Sequence, residues 1–416
     1  MITARRTTIL RQLKSGDYLT RERIRAAAAI LLAGYAIALA AIVTTSPDGM
    51  LDFRGIPLGS DFFAFWSGGK LAAEQGALAV YDPQLNFEFQ AQILKDRNIL
   101  YLPFLHPPQF LFLAIPLAEF PYLVSWPFFS LVTLAAFAAG ATALSRFRAA
   151  PLVILAAPAA FITVTHGQAG FLIGALFAGA LVTLDRRPLI AGALFGLIAI
   201  KPQYGLLIPI ALAAGGHWRA IAAAAVTVCI QIIATTLAFG PDIWAAFLAK
   251  TEFARTIVLE AGAAKWQTNF TMFAALRLLG LGAPAAYALH AAFAILVAAS
   301  LALLWRAKTD HRLKYAGLLV ACVLATPYAI EYDMILLVPA ILLLWSLGAE
   351  QGFRPFEKSA LAFAWAAPIF ASQLAAATLV PAGLLSVAAL YAVIEARRRA
   401  AAPVPAAAGA VRPIAP

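Results

Sequence analysis

Asp61 stands among Phe62, Phe63, Phe65 and Trp66 in the stretch Pro57–Lys70, soon after the first long apolar run of a chain poor in charge. A carboxylate so placed can take the proton of an attacking hydroxyl, which is general-base chemistry. The same residues also read as a solvated loop acid beside an aromatic belt at a membrane interface. Glu331 and Asp333 form a second acidic site next to Tyr328 and Tyr332, with an outer-turn cap as the plainer alternative. Lys201 lies in the middle of the apolar run 192–214, before the helix-breaking Pro202, where an ammonium can meet an anionic group such as a lipid phosphate. Its plainer alternatives are snorkelling to the interface or pairing with a buried acid.

Further polar groups fall between the same apolar segments. His106 precedes Pro107-Pro108, a pair that fixes an extended entry into a helix, and it can bond a phosphate or a sugar hydroxyl or simply cap that entry. His166-Gly167-Gln168 and Lys201-Pro202-Gln203 are turns between apolar segments, and Tyr81 and Asp82 lie in the first long polar interval. The constellation expected at one face is thus Asp61, Tyr81, Asp82, His106, His166, Gln168, Lys201, Gln203, Lys265, Tyr328, Glu331, Tyr332 and Asp333. Ionisable groups at membrane depth are costly unless paired or wet, which makes them functional candidates. A Gly-x-x-x-x-Gly-Lys-Ser/Thr phosphate loop, a His-Glu-x-x-His pair, a Gly-x-Ser-x-Gly elbow and a tight Asp-x-Asp pair are all missing from the sequence. No metal site and no cofactor are therefore expected, and a donor that leaves as a monophosphate is easier to accommodate than a nucleotide sugar.

The elements that must position these groups are membrane helices. Of 416 residues, 62% are hydrophobic and 12% charged, against roughly 25% charged in soluble domains. Ala26 to Val43 is an uncharged run close to the roughly 20 residues that cross a bilayer. Both cysteines, Cys229 and Cys322, fall in apolar segments, so no disulfide framework is expected. The net charge of +11 is an orientation signal and not a nucleic-acid footprint. Basic residues cluster before the first span and at Arg146 and Arg148, Arg186 and Arg187, Arg219, 306–314, Arg354 and Lys358, and 397–399, which the positive-inside rule places in the cytoplasm with both termini.

This predicts an all-α polytopic membrane protein with about twelve spans. Residues 1–25 are a basic cytoplasmic segment, 26–398 one integral-membrane domain, and 399–416 a disordered Ala/Pro-rich tail. Residues 44–105 form a first external loop carrying short amphipathic helices, and 240–282 a second. Apolar segments of 12 to 16 residues around 166–168 and 201–203 are short for a crossing, so helices should stop within the membrane beside a wet cavity. Residues 107–145 hold two apolar segments where the topology needs an odd number of crossings. Either 107–120 is a half-span, or the Arg146 loop faces outward.

Ser60-Asp61-Phe62, Val80-Tyr81-Asp82, Pro107-Pro108 with Pro116-Leu117, Gly167-Gln168, the run from Gly192 to Lys201-Pro202, and His217-Trp218-Arg219 occur in this order. The order and spacing resemble glycosyltransferase family 87, over most of residues 25–345. Many relatives carry an aromatic residue before the Pro-Pro pair, where this chain has His106, and Gly-Gln-x-Asn where it has Gly167-Gln168-Ala169-Gly170. The resemblance implies a GT-C-type fold and inverting transfer of a hexose or pentose, mannose first, from a polyprenyl-phosphate monosaccharide to a lipid or glycan acceptor. Its site would face the periplasm at the bacterial inner membrane, among membrane lipids and without nucleic acid. Asp61 would be the catalytic base. Lys201, His106 and His166 are the candidates for the donor phosphate, and Tyr81, Asp82, Gln168, Gln203, Tyr328, Tyr332 and Asp333 for the substrates. A transporter or flippase of lipid-linked or small polar substrates is the rival reading, because broken helices with charged breaks also build transport sites.

Overall fold

The computed structural model describes residues 2–46, 50–96 and 99–401. Among these residues every regular element is helical, and the only strand-like pairings are isolated bridges between Leu51 and Pro57 and between Asn269 and Ile330. The chain opens with α1 (Ile2–Ser15) and α2 (Arg21–Thr44), the latter capped by Thr20, whose hydroxyl accepts the Arg23 N–H at 3.2 Å. Then come α3 (Ser60–Gln75), α4 (Pro83–Leu94), the short α5 (Leu111–Ala118) and the long α6 (Tyr122–Ser145). Next are α7 (Ala150–Leu155), α8 (Pro158–His166), α9 (Gly170–Thr183), α10 (Pro188–Leu197), α11 (Ile208–Ala214) and α12 (Trp218–Phe239). A second polar stretch holds α13 (Asp242–Phe253) and α14 (Met272–Leu278), before α15 (Ala283–Arg306), α16 (His311–Ala325), α17 (Leu337–Gln351), α18 (Glu357–Thr378) and α19 (Ala382–Ala401).

Among the described residues six helices are long and apolar enough to cross a membrane: Arg21–Thr44, Tyr122–Ser145, Trp218–Phe239, Ala283–Arg306, Glu331–Gln351 and Glu357–Thr378. Their outer faces expose Ile30, Ile37, Leu237, Ile295 and Leu296, side chains suited to lipid and not to water. Other apolar segments are broken into shorter helices. Pro158 separates α7 from α8, and Lys201-Pro202 separates α10 from α11 through two 3-10 turns, Ile198–Ile200 and Pro202–Tyr204. Proline offers no N–H to the helical ladder, so the interruptions follow from the sequence. Where the chain must pass close, α10 presents Gly192 and Gly196 to α12, and a Cβ at either would strike the backbone of Ala220 or Ala224.

The stretch 107–145 forms one short helix and one long one. Eight-residue α5 packs on α3, where a Cβ at Gly69 would overlap the Ala114 carbonyl, and 24-residue α6 then runs the length of the bundle. Ser145, at the far end of α6, accepts a hydrogen bond from Ser346 near the end of α17. That end also gathers Asp185 with Tyr315 at 3.1 Å, Arg312 with Glu350 at 2.7 Å, and Tyr18 with Ser359 at 2.9 Å.

Among the described residues the first long polar interval is not a solvated loop. From Phe62 to Gly69 α3 is buried on every face, so it is a core helix and not an amphipathic one. It carries an aromatic core with Tyr81, Phe104, Phe110, Tyr122, Trp126 and Phe129. Helix α4 does keep one buried face, with Gln90 bonded to the Leu102 carbonyl at 2.7 Å. A larger apolar core is built around α16 and α17, and Ile200 packs against both. The second polar stretch is stitched to the turn before α17 by Phe270 N to Ala329 O at 2.8 Å and Thr271 Oγ1 to Pro327 O at 2.9 Å. Helix α19 continues through Ala401, past the expected start of the tail, and 402–416 lie outside the described residues.

Candidate functional site

Asp61 occupies the first turn of α3, where the helix dipole favours a negative charge. Its place is fixed from both sides. Gly59, at φ 70°, turns the chain into the helix directly under the Trp126 indole, and Tyr122 Oη donates to the carbonyls of Leu58 and Gly59. Upstream, Asp52 accepts the backbone N–H groups of Arg54 at 2.8 Å and Ile56 at 3.0 Å, closing a tight loop before Pro57.

The partner of Asp61 comes from the end of α8. Gln168 Nε2 donates to Asp61 Oδ2 at 3.0 Å and lies 3.3 Å from Tyr332 Oη, while Gln168 Oε1 accepts the Ala169 N–H at 3.1 Å. Gln168 is thus oriented by its own backbone. The turn that presents it needs Gly167, whose φ is 63° and whose Cα faces Phe62 and Trp126. Trp126 Nε1 in turn donates to the Val164 carbonyl at 3.0 Å, so α6 ties the turn down.

Tyr332 links this pair to the break in α10. Lys201 Nζ sits 5.4 Å from the Tyr332 ring centre and 6.0 Å from that of Tyr204, and it donates to Asp333 Oδ1 at 3.0 Å. Both charged side chains are buried. Asp333 Oδ2 also accepts the Ile330 N–H at 3.1 Å, and Thr163 Oγ1 holds the Tyr332 carbonyl at 3.1 Å, pinning α8 to the start of the α17 span. The pairing of Lys201 with a buried acid is therefore what the structure contains. It occupies one of three ammonium N–H groups and leaves two.

His166 ends α8 with Nδ1 against the Ile162 carbonyl at 2.9 Å and its ring 5.6 Å from that of Tyr332. His106 is boxed by Phe65, Phe104 and Phe110, with ring separations of 4.7, 6.0 and 4.4 Å. Both of its ring nitrogens are buried without a hydrogen-bond partner. A buried nitrogen left unpaired costs about 1–3 kcal/mol. Burial, and then the nearby Lys201 charge, push His106 well below the ordinary histidine range, so the ring is neutral. For Asp61, burial raises the carboxyl above its usual range, while His166, the Gln168 hydrogen bond and Lys201 oppose that rise and Asp333 adds to it.

The structure thus brings together Asp61, His106, His166, Gln168, Lys201, Tyr332 and Asp333, while Tyr328, four residues before Tyr332, packs against the small cluster of Leu259, Phe273 and Ala286. Two further expected substrate contacts make hydrogen bonds within the fold. Tyr81 Oη donates to the His106 carbonyl at 2.8 Å, and Asp82 caps α4 by accepting from Gln84 and Leu85 at 2.8 and 3.0 Å. Gln203 is half-buried beyond the break, and no described contact joins it to this cluster. Sequence reading missed Tyr204, buried beside Lys201 with its hydroxyl unpartnered, and Trp126, which underlies the Asp61 turn. Their signals were faint: an aromatic three residues past the break, and a tryptophan next to a proline within α6. Among the described residues no three His, Cys, Asp or Glu side chains are grouped as metal ligands.

The family model for glycosyltransferase family 87 matches residues 104–327, more than half of the chain. The matched stretch includes His106, His166, Gln168 and Lys201; Asp61 precedes it and Asp333 follows it. No curated protein and no solved structure matches the chain.

Proposed function

The chain belongs to glycosyltransferase family 87, and we propose that it moves a monosaccharide, mannose first among the hexoses and pentoses, from a polyprenyl phosphate to a lipid or glycan acceptor. The observation that carries this reading is the joined cluster of Asp61, Gln168, Tyr332, Lys201 and Asp333. A base and a phosphate-sized cationic group lie on one connected set of side chains, as transfer requires.

The acceptor hydroxyl oxygen attacks the anomeric carbon while Asp61 takes its proton. The bond to the phosphate oxygen breaks, and polyprenyl phosphate leaves with the electron pair and with inversion at that carbon. General-base assistance of this kind contributes about 10² to 10⁴-fold. The two ammonium N–H groups that Lys201 does not spend on Asp333, together with the single N–H that neutral His106 carries, are suited to the departing phosphate oxygens. His166 stands opposite them beside Tyr332. Tyr328, Tyr332 and Gln168 would line the sugar side.

Orientation follows from the two ends of the bundle. Helices α9 and α17 begin at the cluster and end beside Asp185–Arg187 and Glu350, among the basic residues. With those in the cytoplasm of a bacterial inner membrane, the cluster faces the periplasm. The test is transfer of radiolabelled sugar from polyprenyl-phosphate mannose, glucose or arabinose by purified wild type and Asp61→Asn. Label moved by the first and lost by at least about 10²-fold in the second is expected. Equal turnover of both rejects Asp61 as the base.

A further inference from the structure

At the end of the bundle opposite the cluster, a recess of about 330 Å³ opens between the α15–α16 turn and the ends of α17 and α19. Lys308, Thr309, Gln351, Arg354 and Arg397 line it above an apolar floor that includes Leu313 and Leu347. Two acids lie in or beside it, and both are already spent. Asp310 is bound by Arg312, with Nη2 to Oδ2 at 2.8 Å, and buried Glu357 by Arg397, with Nη2 to Oε2 at 2.8 Å.

What remains is positive. Among the described residues neither the Lys308 ammonium nor the Arg354 guanidinium is paired with a carboxylate, although the Arg354 backbone N–H donates to Glu357 Oε2 at 2.8 Å. Arg354 is steadied by one bond from Nη1 to the Ala396 carbonyl at 2.8 Å, which leaves most of its five N–H groups. Gln351 accepts from Arg397 through Oε1 and keeps its amide N–H groups. Two uncompensated cations and two neutral donors thus surround a cavity with a greasy floor, at the end of helices that cross the membrane.

We propose that this recess binds the phosphate of an anionic phospholipid headgroup, with Lys308 and Arg354 as its cationic contacts and Thr309 and Gln351 as supporting donors. Free phosphate shares the charge chemistry but has no use for Leu313 and Leu347. A glycerophospholipid brings the same phosphate to the ends of membrane-crossing helices, where this recess lies, and basic pockets between membrane helices are suited to such headgroups. No residue of the Asp61 cluster takes part, so the proposal stands apart from the transfer reaction.

The experiment is thermal unfolding of the full chain in detergent, titrated with phosphatidylglycerol, with phosphatidylcholine, and with inorganic phosphate. Phosphatidylglycerol is expected to raise the Tm of wild type above the other two arms. Lys308→Gln/Arg354→Gln should bind it about 10 to 30-fold more weakly, the loss of two near-surface cations. Lys308→Glu, at an exposed position, provides the same readout if the double variant fails to fold. Equal responses of wild type and Lys308→Glu to phosphatidylglycerol overturn the site. Protection by inorganic phosphate as strong as by the lipid overturns the lipid assignment and leaves an adventitious or soluble phosphate as the occupant.

Discussion

The Gln168 amide donates to Asp61 Oδ2 across 3.0 Å, joining the first turn of α3 to the turn after α8 over 107 residues of chain. The bond favours the ionised carboxylate, against the burial that raises its proton affinity. A base works only when ionised, so Gln168→Leu pushes the Asp61 carboxyl higher still and moves the acid limb of the kcat/KM profile to higher pH. On that limb the expected loss is about tenfold or more, one hydrogen bond to a charged group. An unmoved limb with a uniformly lower rate would assign Gln168 to the sugar instead of the base.

Lys201 and Asp333 form a buried pair, and removing one partner strands the other's charge. Lys201→Met or Asp333→Asn should each cost about 3–5 kcal/mol, read as a lowered Tm in detergent. Lys201→Met/Asp333→Leu should recover most of that stability. If Lys201 also meets the donor phosphate, the double variant is folded and inactive. Recovery of transfer with recovery of Tm would reduce the pair to a strut.

His106→Phe separates stability from function at one position. The ring stays aromatic in its box of Phe65, Phe104 and Phe110, and two unpaired buried nitrogens vanish. Stability should rise by about 1 kcal/mol, while the KM for the polyprenyl donor rises too. A gain in Tm with unchanged kinetics would leave the imidazole without a substrate role.

Gly69→Ala tests whether the aromatic core holds the base in place. Its methyl would meet the Ala114 backbone and force α3 from α5, at about 1–3 kcal/mol. Activity should fall further than that loss of stability explains, because α3 carries Asp61. Gly34→Ala, in open surroundings on α2, is the control, with neither effect expected.

The helical class, the family and the helix break at Pro202 were legible because each follows from local composition or from the missing proline N–H, whereas the break at Pro158 fell inside what read as one apolar segment. Asp61, Gln168, Lys201 and Asp333 were legible as polar groups in apolar surroundings. Who meets whom was not. The Lys201–Asp333 pair spans 132 residues, and nothing local distinguishes it from a free ammonium beside a turn cap. The structural bonds of Tyr81 and Asp82 were not legible either, because a tyrosine and an acid at a loop end look alike in sequence whether they bind a ligand or finish a helix. The burial of α3 escaped notice since its aromatics suit a membrane surface as well as a core. Its interruption by Ser67, Gly68 and Gly69 was the available clue to close helix packing.

Gly167 touches no reacting atom, yet any side chain there meets both an unfavourable left-handed φ of 63° and the Phe62 Cβ. Across divergent descendants of one ancestral gene this position should therefore resist replacement as firmly as the base itself. Invariance at 167 would record the geometry of a turn and not an encounter with sugar, and a search for specificity should look past it to His106, where a change of side chain leaves the backbone free.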